Sequence, residues 1–279
     1  MNRVVNATLE PFFIDGVKGR IFALYLPAQD RQRGALLYFP PFAEEMNRCR
    51  ALVAEQARRL AQRGYACLLL DPYGTGDSEG ELNDADWSTW LADGQIAAQW
   101  LTERTGCAIT LWGCRLGALL AADFANHHPE HFQQLLLWQP VADGKLFINQ
   151  YLRLRVTFLM ERNLPPETTE QMRQRLAAGA IVEVSGYPLS GNLTQSIEAN
   201  KLTNYATLKG VHILWFENVA EPGSALSMPS QKAIEQLRSQ GNTIQTQPFI
   251  DPPVWQLHKR DSAVNLLEQT TRLFESNET

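Results

Sequence analysis

Apolar and polar positions change their spacing about an eighth of the way along the chain. Residues 7–15 and 19–27 are rich in β-formers and split by Asp15-Gly16, which predicts an antiparallel hairpin. Residues 34–41 (GALLYFPP) form a short apolar run without alternation, as a strand covered on both faces requires. Beyond it, helical and strand-like patterns alternate. Residues 49–63 carry apolar side chains at helical spacing and end at Gly64, and 65–71 (YACLLLD) form a buried strand. A long amphipathic helix over 84–104 leads into a strand over 107–112, a tight turn and a helix over 115–127. Three more strands follow, at 134–140, 211–217 and 243–250, with helices at 230–240 and 261–276.

Eight strands, the later ones alternating with helices, predict a mostly parallel eight-stranded sheet with helices on both faces and right-handed crossovers. The alternation breaks between residues 140 and 209. Helices are expected at 144–160 and 168–178, with a short strand-like piece at 181–184. An insertion there, after strand six, lies above the C-terminal edge of the sheet, where open α/β folds bind ligands. The expected division is therefore a core of residues 1–140 and 205–279 and a cap of 141–204. Tyr151, Phe158 and Tyr187 are candidates for its pocket wall.

Composition narrows the function classes. The chain has 279 residues, is 44% hydrophobic and 20% charged, and carries a net charge of −5. No run of Lys and Arg exceeds two residues, which argues against a nucleic-acid footprint or a polybasic membrane patch. No apolar run approaches the ~20 residues that cross a bilayer, and the first residues lack a signal-peptide core, so the cytoplasm is the expected compartment. Cys49, Cys67, Cys107 and Cys114 form no CxxC pair, and no histidine completes a zinc site. They read as reduced thiols; neither a metal nor a cofactor is expected.

Two segments have the Gly-x-x-x-Gly spacing of a nucleophile elbow. Gly76-Asp77-Ser78-Glu79-Gly80 holds a serine, but its strand ends at Asp71 and no helix follows at once. An elbow needs a strand running into the turn and a helix leaving it, so Ser78 reads as a loop residue. Gly113-Cys114-Arg115-Leu116-Gly117 has that context, and Arg115 stands where a serine nucleophile would. A guanidinium stays protonated and has no lone pair with which to attack.

The partners of such an elbow follow it in the order acid, then histidine. Glu217 and Asp143 are the candidate acids and His258 the candidate base. The Leu116 amide, beside Cys114, is a candidate anion donor. The loop after the third strand, which would supply a second donor, instead carries Glu44 and Glu45. Either these glutamates favour the following helix N-terminus, or one of them pairs with Arg115 or handles a proton; the residues leave both readings open.

The runs Phe39-Pro40-Pro41-Phe42-Ala43-Glu44-Glu45-Met46-Asn47, Asp71-Pro72-Tyr73-Gly74-Thr75-Gly76-Asp77-Ser78-Glu79-Gly80, Leu111-Trp112-Gly113-Cys114-Arg115-Leu116-Gly117-Ala118-Leu119 and Leu136-Leu137-Trp138-Gln139-Pro140 carry a resemblance. Together they resemble the second type of exosortase A system-associated hydrolase, in the α/β-hydrolase superfamily. The resemblance runs from the first strand to Gly186-Tyr187-Pro188-Leu189 and is weaker after Lys209. It implies an α/β-hydrolase fold and a bacterial protein linked to exopolysaccharide production and PEP-CTERM protein sorting. It supplies neither a substrate nor a catalytic residue.

Three functions compete. The first is a hydrolase with altered chemistry acting on an ester, thioester or acyl-carbohydrate bond, with Arg115, His258, Glu217 and Glu45 as its candidate machinery and a small acyl or carbohydrate molecule as substrate. Losing the nucleophile of a serine hydrolase costs about 10⁶ in kcat, so another group must supply the attack. The second is a non-catalytic protein that keeps the pocket for an anionic ligand or a partner protein. The third, a structural partner in an exopolysaccharide complex, has no particular residue behind it.

Overall fold

Eight strands form one sheet in the order β1-β2-β4-β3-β5-β6-β9-β10. The computed structural model describes residues 9–128, 132, 134–256 and 261–275. Strands β1 (Glu10–Asp15) and β2 (Arg20–Leu26) make the expected hairpin, closed by the Gly16 amide on Gly19 O at 3.0 Å. Strand β2 runs antiparallel to β4 (Tyr65–Leu70). From β4 onward the pairs with β3 (Gly34–Phe39), β5 (Ile109–Cys114), β6 (Gln134–Trp138), β9 (His212–Asn218) and β10 (Thr243–Phe249) are parallel. Strands β3 and β5 are buried along their whole length, which is why their sequences do not alternate.

Helices α1 (Glu44–Ala61) and α8 (Val264–Glu275) cover one face, joined where Gln56 Nε2 donates to Thr271 Oγ1 at 3.1 Å. Helices α2 (Trp87–Thr105), α3 (Leu116–His127) and α7 (Met228–Ser239) cover the other. Helix α1 begins five residues before the expected start. Its apolar stripe begins only at Met46, so the polar first turn looked like loop, yet Glu44 and Glu45 lie inside that turn. Helix α2 starts three residues late because Asp86 caps it, accepting the Thr89 amide at 2.8 Å.

The segment between β6 and β9 holds α4 (Gly144–Glu161), α5 (Thr169–Ala177), a two-stranded hairpin of β7 (Val182–Val184) and β8 (Tyr187–Leu189), and α6 (Gly191–Glu198). The β8 strand and α6 were not legible as elements; each is only three to eight residues long and too short for a period to register. The segment packs on the loop that leaves β3 at its C-terminal end. Phe147 and Tyr151 lie edge-on to Phe42 at 5.9 and 5.1 Å, and Asn47 donates to the Tyr187 hydroxyl at 2.8 Å. Phe158 is not part of that wall: it is 49% exposed. It lies seven residues beyond Tyr151, near the helix end, where the packed stripe has drifted out of contact.

Candidate functional site

The sequence between β5 and α3 is held in the geometry a nucleophile elbow requires. Arg115 has φ 55° and ψ −119°, left-handed backbone that costs a non-glycine residue of order 1–3 kcal/mol. The surroundings enforce it. The Arg115 amide donates to Trp138 O at 2.9 Å, and its carbonyl accepts from Val141 and Ala118 at 3.1 Å. A Cβ at Gly113 would stand 2.4 Å from Ala118 Cα, and one at Gly117 would stand 2.2 Å from Phe39 O. Only glycines let the helix approach the sheet this closely. Ala43, which precedes α1 across the cleft, has nearly the same backbone, φ 53° and ψ −124°. Two strained residues thus start the two helices whose first turns line the site.

The Arg115 side chain is held by Glu45. Its Nε lies 3.1 and 3.2 Å from the two carboxylate oxygens, and Nη2 donates to Oε1 at 3.0 Å. The two side chains are 14% and 13% exposed. Burial pushes the guanidinium down, but the Glu45 charge and hydrogen bonds outweigh it and raise its pKa. The Trp255 ring covers the pair, 5.7 Å from the guanidinium carbon, and Arg48 Nη1 fixes that residue by donating to its carbonyl at 3.1 Å. Glu45 sits in the first turn of α1, where the helix dipole favours an anion, whereas Arg115 puts a cation at the start of α3, where the dipole opposes it.

Glu44 points elsewhere. It lies beside Tyr151 and Tyr187, and its Oε2 is buried without a hydrogen-bond partner. The Tyr151 hydroxyl donates to Val184 O at 3.1 Å, and its closeness to the Glu44 carboxylate favours the charged form of that group. Burial raises the Glu44 carboxyl above its ordinary range, and the neighbouring Glu45 charge adds to this while Arg48 opposes it. Below these residues Phe42, Leu116, Gly117, Trp87 and Trp90 enclose an apolar cavity of about 20 Å³, room for one water. The Leu116 and Gly117 amides at its edge belong to the first turn of α3 and have no intrahelical acceptor. A wider groove of about 410 Å³ opens beside it, between Ala43, Asn47, Gly76 and Tyr187.

The other candidates separate from this centre. Glu217 is 3% exposed at the end of β9, and its oxygens accept from Trp215 Nε1 at 3.0 Å and the Ser227 amide at 2.8 Å. Each oxygen accepts one bond, and the two together brace the β9–α7 connection. Asp143 caps α4 through the Leu146 amide at 3.1 Å and pairs with Lys201 at 3.2 Å. Cys114 is the last residue of β5, and its side chain packs on the α1 face of the sheet with Cys49 and Trp138. Burial pushes its thiol well up, and contact with Cys49 adds to this. His258 lies outside the described residues. Ser78 accepts the Phe22 amide at 2.7 Å and donates to Asp71 O, tying its loop to β2 and β4. Trp255 was missed; its only signal was an apolar residue in a loop where solvent-exposed side chains are the rule.

The family model described as "Serine aminopeptidase, S33" (Hydrolase_4) matches residues 30–179, more than half of the chain. The chain belongs to this Hydrolase_4 family. No curated protein matches it in sequence. Solved structures share the fold. Est1E from Butyrivibrio proteoclasticus, solved with ferulic acid bound, is 16% identical, with 95% of this chain and 96% of that one covered at a TM-score of 0.66. A soluble variant of the monoglyceride lipase from Saccharomyces cerevisiae, solved with a substrate analogue, is 13% identical over 100% and 98% at a TM-score of 0.66. A thermostable carboxyl esterase from Bacillus coagulans, in complex with glycerol, is 13% identical over 95% and 97% at the same score. This Hydrolase_4 chain therefore has an α/β-hydrolase fold. Among its described residues no helix is long and apolar enough to cross a membrane.

Proposed function

We propose that this protein is a hydrolase of an ester, thioester or acyl-carbohydrate bond that works by direct attack of water, without a covalent acyl-enzyme. The observation that carries this is Arg115 at the elbow, fully engaged by Glu45 and covered by Trp255. No nucleophile remains there, while the helix N-terminus and the opposing carboxylate do. Glu44 is the candidate base: its raised pKa makes it a stronger proton acceptor than an ordinary glutamate. Water attacks the acyl carbon as Glu44 takes its proton, and the Leu116 amide meets the oxyanion. The carbonyl re-forms, and the alkoxide or thiolate leaves with the proton from Glu44, releasing an acid and an alcohol or thiol. The segment 141–204 acts as the cap, with Phe147 and Tyr151 standing on Phe42 beside the elbow.

The likeness to esterases and a lipase supports the acyl class. The resemblance to exosortase-associated hydrolases supports a role in exopolysaccharide production and PEP-CTERM sorting, with the cytoplasm as the proposed compartment; a gene deletion that leaves the acyl content of secreted polysaccharide unchanged would count against that setting. The chemistry is tested with a panel of acyl esters and thioesters. Glu44→Gln should lower kcat by about 10²–10⁴-fold while the fold, followed by circular dichroism, is unchanged. Undiminished turnover in that variant would exclude Glu44. The Arg115–Glu45 closure also favours a second reading, a non-catalytic protein that binds an anionic ligand or a partner. Ligand-dependent thermal stabilisation without product from any ester would select it.

A further inference from the structure

A cavity of about 200 Å³ lies between α1 and the strands β2, β4 and β3. Met46, Arg50, Val53 and Ala54 form its roof, at i, i+4, i+7 and i+8 on α1, so they share one stripe of that helix. Glu45, which reaches Arg115, leaves the helix about 100° away from Met46. The floor is made by Leu24 and Leu69, which face each other across β2 and β4, with Tyr38 on β3 and Asp71 just beyond β4. Leu69 and Asp71 are two positions apart and so point to the same face of the sheet. Leu24 and Leu69 are half-buried, which leaves the apolar end open to solvent.

The other end is polar and incompletely paired. Arg50 Nη2 donates to Asp71 Oδ2 at 2.6 Å, and Asp71 Oδ2 also accepts the Asp77 amide at 3.0 Å. Among the described residues no other nitrogen of that guanidinium has a hydrogen-bond partner. Tyr38 is 5% exposed, its ring lies against Trp112 with 4.6 Å between centroids, and its hydroxyl has no partner. Burial raises the Tyr38 pKa well above its ordinary value, so the O–H is retained as a donor. A buried hydroxyl without a partner is costly, and a native fold leaves few of them.

We infer that this cavity binds a small uncharged amphiphile: an aliphatic body of about six carbons, since about 150 Å³ lined by such side chains admits benzene, ending in a single hydroxyl or carbonyl oxygen. Leu24, Leu69, Val53 and Ala54 take the chain, and the Tyr38 hydroxyl and Arg50 donate to the oxygen. The head is uncharged because Asp71 already matches Arg50 and Asp77 adds a second carboxylate beside it. A ligand carboxylate would be a third anion at one cation. Arg115, Glu44 and Glu45 do not line the cavity, so the inference stands whether or not the elbow hydrolyses its ligand.

Calorimetric titration of the full chain with hexan-1-ol tests it, with hexanoate as the charged counterpart. One hexan-1-ol should bind per chain, and hexanoate should bind on the order of tenfold more weakly. Tyr38→Phe should weaken hexan-1-ol binding about two- to tenfold, the worth of one hydrogen bond. The same variant should not lower Tm, because the hydroxyl it removes has no partner in the unliganded protein. Ala54→Phe fills the apolar end and should abolish binding. Thermal unfolding reports a folding defect separately, and Tyr38→Phe decides the matter alone where the bulkier variant does not fold. No binding of hexan-1-ol, tighter binding of hexanoate, or full affinity in a folded Ala54→Phe variant would overturn the inference. So would full affinity in Tyr38→Phe, which would assign that hydroxyl to a buried water.

Discussion

Removing either member of the Arg115–Glu45 pair should destabilise the protein unequally. The side chains are only 14% and 13% exposed, and three nitrogen–oxygen contacts between 3.0 and 3.2 Å join them. At a charge separation of about 4 Å and an effective dielectric near 20, the attraction is about 4 kcal/mol before desolvation. Breaking a buried pair from one side costs about 3–5 kcal/mol because a charge is left unpaired. The partial exposure here puts the expected loss near the lower end, about 3 kcal/mol. The helix dipoles then split the two variants. Arg115→Met leaves Glu45 at a helix N-terminus, where an anion is favoured; Glu45→Met leaves Arg115 at one, where a cation is disfavoured by about 0.3–1 kcal/mol. Glu45→Met should therefore be the more damaging by up to about 1–2 kcal/mol. The double variant, with two methionines against Trp255, should lose less than the sum of the singles, with a coupling of about 2 kcal/mol. Urea unfolding of the four proteins measures each quantity. A coupling below about 0.5 kcal/mol would show that the pair behaves like an exposed surface bridge. A larger loss for Arg115→Met than for Glu45→Met would refute the dipole argument.

A fluorophosphonate should leave the protein unlabelled, and Arg115→Ser should not restore esterase activity, because the cleft then holds Glu45 without its paired cation, next to Glu44; stoichiometric labelling at Ser78 or brisk hydrolysis by the serine variant would contradict this. Asp93 is fully buried, and burial raises its carboxyl to about 6 even though the Tyr73 amide donates to it at 2.9 Å. The folded state then binds more protons than the unfolded one between pH about 4 and 6. Stability from this group is present at the acid end, falls as pH rises through that window and is constant above it. Asp93→Asn, which retains an acceptor for Tyr73, should raise stability at pH 7 by up to about 3 kcal/mol and flatten the slope in a pH series of urea midpoints; an unchanged slope would refute the assignment. Ser78→Ala should cost about 1–2 kcal/mol of stability, since the Phe22 amide loses its acceptor, with kcat on any ester unaltered. A kcat that falls with Ser78→Ala would make the serine more than a brace.

The hairpin, the run of parallel strands and the elbow between β5 and α3 were legible because each depends on a local pattern: period, turn chemistry and glycine spacing. Uninterrupted apolar runs such as 109–114 identify strands buried on both faces whatever their neighbours are. The arginine at residue 115 excluded serine chemistry from its protonation alone. Local patterns fail where the cause of order is a contact distant in sequence. Glu44 and Glu45 adjoin in the chain, yet one carboxylate reaches 70 residues along it to Arg115 while the other is left against Tyr151 and Tyr187. The sequence permitted either to be the partner; the direction in which each leaves α1 decided it. Glu217 looked like a triad acid from its place at the end of β9, and only the structure shows the Trp215 indole and Ser227 amide each donating to one of its oxygens. Trp255 gave no periodic signal, because it is ordered by Arg48 and by the cation it covers. Periodicity reports which side of an element is buried, since burial of that side is repeated every turn or every second residue. It carries no record of what lies across the gap, and at this site the chemistry is set by what lies across the gap.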